Sequence, residues 1–260
     1  MTHILPPFTR ALARRPAHSF ADGLTGADLG KPDFERTMQQ YDAYMAAIKA
    51  CGLETTILPA DEGYPDGHYV EDAAIIFKDM VFFCRSGAPA RQGEADAVAK
   101  NLTHLRQVFI AGDGAYIDGG DVLFCADRVL IGLSERTTKS GAEQLKAALQ
   151  SLQSDLKVDF VNFSGVLHLK SGITELAPGV LVKSPLMQTD YVVETAETII
   201  LPQEESYAAD VLPVNDTLLL PAGYPTLISI AEKHYTNIIA LDMSEFEKMD
   251  GGVTCLTLRY

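Results

Sequence analysis

A hairpin unit that recurs along the chain constrains its fold more than any other sequence feature. Each copy opens on a polar residue, runs as an apolar strand, turns, and returns as a second apolar strand. The four clearest copies are Glu71–Gly87, Asp118–Ser134, His168–Ser184 and Tyr207–Gly223. Their turns contain the Asp, Asn, Pro and Gly residues that ordinary hairpins use. A fifth opening at Gly251 completes a series whose members lie about 40 to 50 residues apart.

Helical and strand patterns fill the intervals between the hairpins. Apolar residues recur at helical spacing in four segments, namely Pro32–Cys51, Glu94–Leu105, Gly141–Leu152 and Pro225–Tyr235. Short strands follow them at Thr55–Leu58, Val108–Ile110, Lys157–Asn162 and Ile238–Leu241. The sequence therefore predicts a ββαβ unit repeated about five times, with a strand around His3–Pro7 completing the last unit.

A repeat of this period predicts a ring or a solenoid of similar units within one domain spanning residues 1–260. Because the two chain ends meet in one unit, a closed ring is favoured. The alternative is an ordinary doubly wound sheet, in which single strands alternate with helices. The paired strands of the hairpins argue against that alternative.

Charge and hydropathy exclude several classes of partner. The formal net charge is −14, which argues against nucleic acid or an anionic membrane surface as the main partner. It is compatible with a small cationic substrate. No stretch reaches the roughly 18–20 apolar residues of a membrane span, and the first residues lack the apolar core of a secretory signal. We therefore expect a cytoplasmic protein.

The four cysteines are widely spaced and form no Cys-x-x-Cys pair. This spacing supports neither a disulfide framework nor a zinc ribbon. We expect reduced thiols, of which at most one takes part in chemistry.

In a closed ring, the residues that open the hairpins converge on the central axis. Taken singly, Cys255, His168 and Asp118 each have an ordinary structural explanation. Together they suggest a thiolate nucleophile, an imidazole that transfers protons, and a carboxylate that orients the imidazole. Additional acids at Glu71 and Asp72 suit a guanidinium group, whose N–H donors pair with carboxylates.

Two arginines follow hairpins, and their role is open at this point. Arg91 and Arg136 could bind a substrate carboxylate, or they could be ordinary surface charges.

Nine sequence strings, in order over nearly the whole chain, resemble the dimethylarginine dimethylaminohydrolase family. They are DGLTGADLGKPDF, VEDAA, SGAPARQGE, IDGGDVLF, GLSERTTKSGAE, GVLHLKSG, EESYAAD, LPAGYP and MDGGVTCLTLRY. The family belongs to the guanidino-group-modifying enzymes, whose fold is an α/β five-bladed, pseudo-symmetric propeller called a pentein. The resemblance thus implies a hydrolase that converts Nω-methylated L-arginine to L-citrulline and methylamine or dimethylamine.

The resemblance also assigns roles to individual residues. It implies that Cys255 is the nucleophile, that His168 is the general acid and base, and that Asp118 is the carboxylate associated with both histidine and guanidinium. Residues implied to bind the substrate are Leu24 and Met249 through their carbonyls, Asp66, Glu71, Asp72, Arg91 and Arg136. Leu24 would lie on a mobile flap. No metal or organic cofactor is implied, although zinc could bind Cys255 and His168 as an inhibitor.

The chain departs from the family pattern at His68 and Tyr69, where an apolar residue and phenylalanine are usual. Adjacent strand residues face opposite sides, so at most one of the two should line the pocket. The departure leaves arginine deiminase or citrulline hydrolase as alternatives on the same scaffold. A catalytically silent arginine-binding protein is the alternative from another class. A homodimer is compatible with the sequence.

Overall fold

The computed structural model describes residues 4–260, in which the strands form five small sheets of three strands each. In every sheet the middle strand pairs antiparallel with one neighbour and parallel with the other. The sheets consist of β1 (Arg10–Arg14), β2 (Glu54–Leu58) and β15 (Leu258–Arg259); β3 (Ala74–Phe77), β4 (Met80–Phe83) and β5 (Gln107–Ile110); β6 (Val122–Phe124), β7 (Arg128–Leu133) and β8 (Lys157–Asn162); β9 (Ile173–Ala177), β10 (Val180–Lys183) and β11 (Glu197–Ile200); and β12 (Leu212–Val214), β13 (Thr217–Pro221) and β14 (Asn237–Leu241).

The sheets follow one another around a ring. Strand β6 contacts β9, and β9 contacts β12. Strand β15 contacts β3, which brings the sheet of β1, β2 and β15 against the sheet of β3, β4 and β5. The sheet of β1, β2 and β15 contains strands from both ends of the chain, since β1 and β15 pair antiparallel. The predicted ring of five repeated units is confirmed.

Helices join the second and third strands of four sheets. They are α1 (Phe34–Ala50), α2 (Glu94–Ala99), α3 (Lys139–Leu152) and α5 (Pro225–Ala231), and single turns form α4 (Leu169–Gly172) and α6 (Ser244–Glu247). Side chains cap the two longest helices, since Asp33 accepts from the amide of Arg36 and Thr138 from that of Gly141. No helix of the described residues is both long and apolar enough to cross a membrane.

The unit that contains β9, β10 and β11 lacks the helix of the repeated ββαβ pattern, and no helical segment was predicted there. Residues 185–196 between β10 and β11 form no helix. Their polar groups are used elsewhere: the backbone of Gln188 pairs with Ser164, Thr189 donates to the carbonyl of Asn162, and Tyr191 donates to Asp159. These contacts compete with helical hydrogen bonds.

Two other boundaries also differ from the prediction. The completing strand lies at Arg10–Arg14 rather than around His3–Pro7; residue 3 lies outside the described residues, and residues 4–7 form no strand. Pro6 and Pro7 have no N–H to donate to a sheet, whereas β1 must pair on both edges. The helix predicted to reach Leu105 ends at Ala99, where Asn101 donates its side-chain amide to the carbonyl of Ala97.

Apolar burial is divided among the units and leaves the axis for polar groups. The core beneath α1, for example, packs Tyr41, Tyr44 and Ile48 against Leu219 of β13 and against Phe246. All five of these side chains are fully buried. Helix α1 therefore buries its apolar face against its own unit, and the hairpin openings remain at the centre.

Candidate active site

A short helical turn precedes the first strand of four sheets, and these turns meet at the axis. Residues Val70–Ala73 contact Gly119–Asp121, which contact α4, which contacts Gln203–Ala209. The close approach explains the two glycines at 119 and 120. A Cβ on Gly119 would overlap the backbone of residue 71, and one on Gly120 would lie 2.7 Å from His168 Nδ1. Only glycine fits at either position.

His168 lies buried among carboxylates. Its Nε2 is 3.3 Å from Asp118 Oδ2. Burial alone would lower the pKa of His168, but the charges of Asp72, Asp118 and Asp121 outweigh it and raise the pKa to about 9. Asp121 also accepts from the amide of Leu169, which fixes the start of α4 beside the imidazole. At neutral pH the imidazole therefore carries a proton that it can donate.

Cys255 lies in the turn before β15, where its Sγ accepts from the amide of Gly252 at 3.4 Å. Burial, followed by the charges of Asp210, Glu71 and Asp72, raises the pKa of the thiol well above its ordinary range. Asp72 therefore acts electrostatically on both the thiol and the imidazole, lowering the acidity of each. In this environment the thiol is neutral at pH 7, and a cation beside it would favour the thiolate.

The three other thiols are also partly or fully buried, and the charges of Asp118 and Asp72 act on Cys84 as well. Cys84 and Cys125 are buried, and Cys51 is half-buried at the end of α1. Burial is the first cause of a raised pKa for each of these thiols.

The carboxylates at the axis have unequal numbers of partners. Asp72 accepts from Gly120 and from Arg91, whereas Glu71 uses Oε1 alone to accept from Lys170 at 2.7 Å and from Arg259 at 2.8 Å. Within residues 4–260, the buried oxygens without a hydrogen-bond partner include Glu71 Oε2, Asp118 Oδ1 and Asp210 Oδ1. Three unpaired acceptors in one buried site leave room for a ligand with several N–H donors.

The two arginines of the site differ in how the protein holds them. Arg91 is buried, donating to Asp72 Oδ2 at 2.7 Å, to both oxygens of Glu94, and to backbone carbonyls. Arg136 is more exposed, and its Nη1 lies 4.0 Å from Asp118 Oδ2. Arg136 is therefore the freer of the two cations.

The segment containing Leu24 lies at the rim of the site, and hydrogen bonds to two aspartates hold it in place. Asp66 accepts from the amide of Leu24, and Asp250 accepts from Thr25 and from the amide of Gly26. The carbonyl of Met249 accepts from the hydroxyl of Tyr69 at 3.2 Å. The side chain of Leu24 is 41% exposed.

A cleft of about 960 Å³ extends from this rim to the loop that carries Cys255. Its lining includes Gly26, Ala27, Leu29, Asp210 and Gly252. The cleft is large enough for an amino acid.

A divalent cation could also be considered at the axis. One ligand atom each from Asp72, Asp118 and His168 lies within 4.8 Å of the other two. Both oxygens of Asp72 already accept hydrogen bonds from Gly120 and Arg91. The group is therefore better described as a hydrogen-bonded network around the imidazole.

Comparison with known proteins decides the family. A dimethylarginine dimethylaminohydrolase from Pseudomonas aeruginosa is 36% identical over 263 residues, which are 97% of this chain and 100% of that protein. The chain belongs to the dimethylarginine dimethylaminohydrolase family. The arginine deiminase family model also matches residues 98–217.

Solved structures of dimethylarginine dimethylaminohydrolases share the fold. A mutant of the Pseudomonas aeruginosa enzyme complexed with citrulline has a TM-score of 0.91 at 35% identity and covers 98% of this chain and 100% of that one. An adduct of a dimethylarginine dimethylaminohydrolase with S-methyl-L-thiocitrulline has a TM-score of 0.90 at 35% identity, covering 97% and 100%. The five-bladed α/β propeller implied by the sequence resemblance is thus confirmed.

For this member of the dimethylarginine dimethylaminohydrolase family, the two unusual residues lie outside the cleft. His68 packs edge-on against Phe20 and close to Phe246. Burial, and then the charge of Arg91, lowers the pKa of His68 to about 3, so its ring is neutral. Tyr69 is buried with its hydroxyl on the Met249 carbonyl. Neither side chain lines the cleft; since Cys255 and His168 do not line it either, it is the packing of His68 and the hydrogen bond of Tyr69 that commit both side chains to the protein interior.

Sequence reasoning missed three charged residues of the site. Lys170 and Arg259 both form ion pairs with Oε1 of Glu71, and Asp210 adds a carboxylate near Cys255. The available signal was that each follows a recognised opening: Lys170 follows His168, Asp210 follows Tyr207, and Arg259 follows Gly251.

Proposed function

We propose that the protein hydrolyses Nω-methylated L-arginine, as the mono- or asymmetric dimethyl form, to L-citrulline and methylamine or dimethylamine. The observation that carries the proposal is the set of unpaired, buried carboxylate oxygens around the thiol of Cys255 and the imidazole of His168. A guanidinium supplies several charged N–H donors in one plane, which suits such a set.

The amino-acid end of the substrate would lie toward the rim of the cleft. Arg136 offers a cation for the α-carboxylate. Nη1 of Arg91 uses one N–H to donate to Asp72, and its second N–H would donate to the same α-carboxylate. The carbonyls of Leu24 and Met249 would accept from the α-ammonium group, with Asp66 holding Leu24 in position. At the other end, Glu71, Asp72 and Asp118 would accept from the guanidinium.

Binding of the cation would activate the nucleophile. Since carboxylates keep the free thiol protonated, a guanidinium among them offsets their charge and lowers the pKa of Cys255. The thiol releases its proton to solvent, and the resulting thiolate attacks the guanidinium carbon. The protonated His168 donates its proton to the departing nitrogen, and the C–N bond breaks to leave a thiouronium on Cys255.

Water would complete the reaction. The now neutral His168 takes a proton from water as the oxygen attacks the thiouronium carbon. The C–S bond then breaks, which releases citrulline and the Cys255 thiol. Asp118, 3.3 Å from Nε2, orients the imidazole through both steps. No step requires a cofactor.

Other parts of the proposal concern the whole chain. Because residues from every unit of the ring meet at the site, residues 1–260 would act as one catalytic domain in the cytoplasm. The partner would be a small-molecule substrate, with neither nucleic acid nor a membrane as partner. A homodimer is a further proposal, which light scattering tests directly.

A product assay tests the proposed function. Purified protein is incubated with monomethylarginine, asymmetric dimethylarginine, arginine and citrulline, and citrulline, ornithine, ammonia and the amines are quantified. We expect kcat/KM for the methylated arginines to exceed that for arginine at least tenfold. Arginine has N–H groups in place of the methyl groups, and leaving such a buried N–H without an acceptor costs about 1–3 kcal/mol. Faster turnover of arginine or citrulline would instead identify a deiminase or a citrulline hydrolase. Binding without any turnover would identify a silent binding protein.

A further inference from the structure

Asp210 belongs to the unit of β12, β13 and β14 and lies next to one of the four helical turns that meet at the axis. It lies between the helical turn Gln203–Ala209 and the first strand, β12. In three other units, Asp118 and His168 precede the corresponding turns and Asp72 lies within one, so Asp210 is the polar group that the remaining turn brings to the axis. Asp210 is among the residues that line the cleft, and the residue is only 4% exposed. The ring therefore directs a fourth polar group to its axis.

The two oxygens of Asp210 have different surroundings. Oδ2 accepts from the hydroxyl of Thr254 at 3.1 Å, which ties the carboxylate to the loop that carries the nucleophile. Oδ1 is buried and has no partner among residues 4–260. A buried carboxylate oxygen without a donor is unfavourable, and a charged N–H donor would relieve that cost.

Gly252 connects Asp210 to the sulfur atom of Cys255. Its amide donates to Cys255 Sγ at 3.4 Å. A Cβ on Gly252 would overlap Asp210 Oδ2, so the carboxylate packs directly against this residue. In the order of the ring, the unit that carries Cys255 lies between the unit of Asp210 (β12, β13 and β14) and the unit of Asp72 (β3, β4 and β5).

We infer that Asp210 is a further substrate-binding residue, whose Oδ1 accepts a hydrogen bond from a guanidinium N–H of the substrate beside Cys255. The inference rests on the proposed function of the site. A guanidinium carbon must come within about 3–3.5 Å of the sulfur for attack. Its nitrogens then extend toward the carboxylates on both sides of Cys255. Burial, and then the charge of Glu71, raise the pKa of Asp210 to about 7. Asp210 therefore selects for a cation, because a guanidinium stabilises its ionised form and a neutral ureido group does not.

The test is calorimetric binding in the Cys255→Ser background, which needs no turnover. Asp210→Asn keeps the size of the side chain and an oxygen for Thr254 but removes the charge. We expect the affinity for cationic asymmetric dimethylarginine to fall about 10- to 100-fold, as for the loss of a hydrogen bond between charged groups. The affinity for neutral citrulline should change less than about threefold. A matched control is Glu205→Gln, a buried carboxylate whose partners are the amides of Thr226 and Leu227; it should leave both affinities unchanged.

Two results would overturn the inference. Equal losses for both ligands would mean that Asp210 only holds the Cys255 loop in place, and no loss for either would mean that it does not contact the guanidinium. Failure of the parent variant to bind dimethylarginine would overturn it as well. The product assay on the wild-type protein is independent: a wild type that binds these ligands but releases no citrulline removes the proposed function while the binding comparison still decides the role of Asp210.

Discussion

The guanidinium of Arg91 donates to Asp72 Oδ2 at 2.7 Å, and both side chains are almost completely buried. Glu94 holds the same guanidinium through both carboxylate oxygens. Arg91 therefore maintains the shape and charge of the proposed guanidinium pocket, in addition to its proposed contact with the α-carboxylate of the substrate.

Replacing the two arginines should consequently have different effects. Arg91→Ala leaves Asp72 and Glu94 buried without their cation, so the free energy of unfolding should fall by about 3–5 kcal/mol. Arg136→Ala should affect stability little and raise KM for the amino acid much more than KM for a guanidine that has no carboxylate. Urea unfolding and steady-state kinetics measure both effects, and Lys139→Ala, an exposed cation nearby, is the control. Equal KM penalties for the two substrates in Arg136→Ala would make that residue structural.

The raised pKa of His168 predicts a pH dependence of stability. A histidine whose pKa is about 9 when folded and about 6.5 when unfolded binds its proton more tightly in the folded state. Its contribution is fully present below pH about 6.5 and is lost as the pH rises through about 9. The difference in unfolding free energy between wild type and His168→Asn should therefore shrink across this interval. His234→Asn, at an exposed position, serves as the control. A difference that stays constant with pH would show that the carboxylates do not hold the proton on His168.

The general-acid role of His168 predicts a dependence on the leaving group. His168→Gly should slow hydrolysis of dimethylarginine by about 10²–10⁴-fold, because the amine must be protonated as it departs. S-methyl-L-thiocitrulline, whose thiol departs without protonation, should lose much less in formation of the adduct. Single-turnover kinetics on both compounds measure the two losses. Equal losses would exclude proton donation by His168.

The carboxylates around Cys255 predict which reagents modify it. At pH 7 a cationic haloacetamidine should alkylate Cys255 far faster than the neutral haloacetamide with the same halogen, because the cation lowers the pKa of the neighbouring thiol. Peptide mapping after timed exposure measures the rates. Cys51, which is also partly exposed, is the internal control and should show little preference between the reagents. The same small preference at Cys255 would contradict activation by a cation.

Local sequence patterns were sufficient to predict much of the fold. Alternation of apolar residues and turn residues identified the hairpins, and the strand Lys157–Asn162 was predicted with its observed bounds. The sequence showed no helical pattern after β10, and residues 185–196 form no helix, since the side chains of Thr189 and Tyr191 bind distant parts of the chain. The order of the openings was enough to bring His168 and Cys255 together with Asp72 and Asp118.

What the sequence could not predict was how charge is balanced within the site. Glu71 resembles a free substrate ligand in sequence, but Lys170 and Arg259 occupy one of its oxygens. Arg91 resembles a free cation, but Asp72 and Glu94 neutralise it. Such pairings depend on which side chains the ring places face to face.

Mass spectrometry of the protein quenched during turnover tests the central claim, that Cys255 attacks the guanidinium carbon. Monomethylarginine and asymmetric dimethylarginine lose different amines, so both should give one and the same thiouronium mass, located on the peptide that contains Cys255. The adduct should be absent from Cys255→Ser, which should also be inactive, and from Cys51, Cys84 and Cys125. Citrulline formation by Cys255→Ser, or an adduct on another residue, would contradict the account.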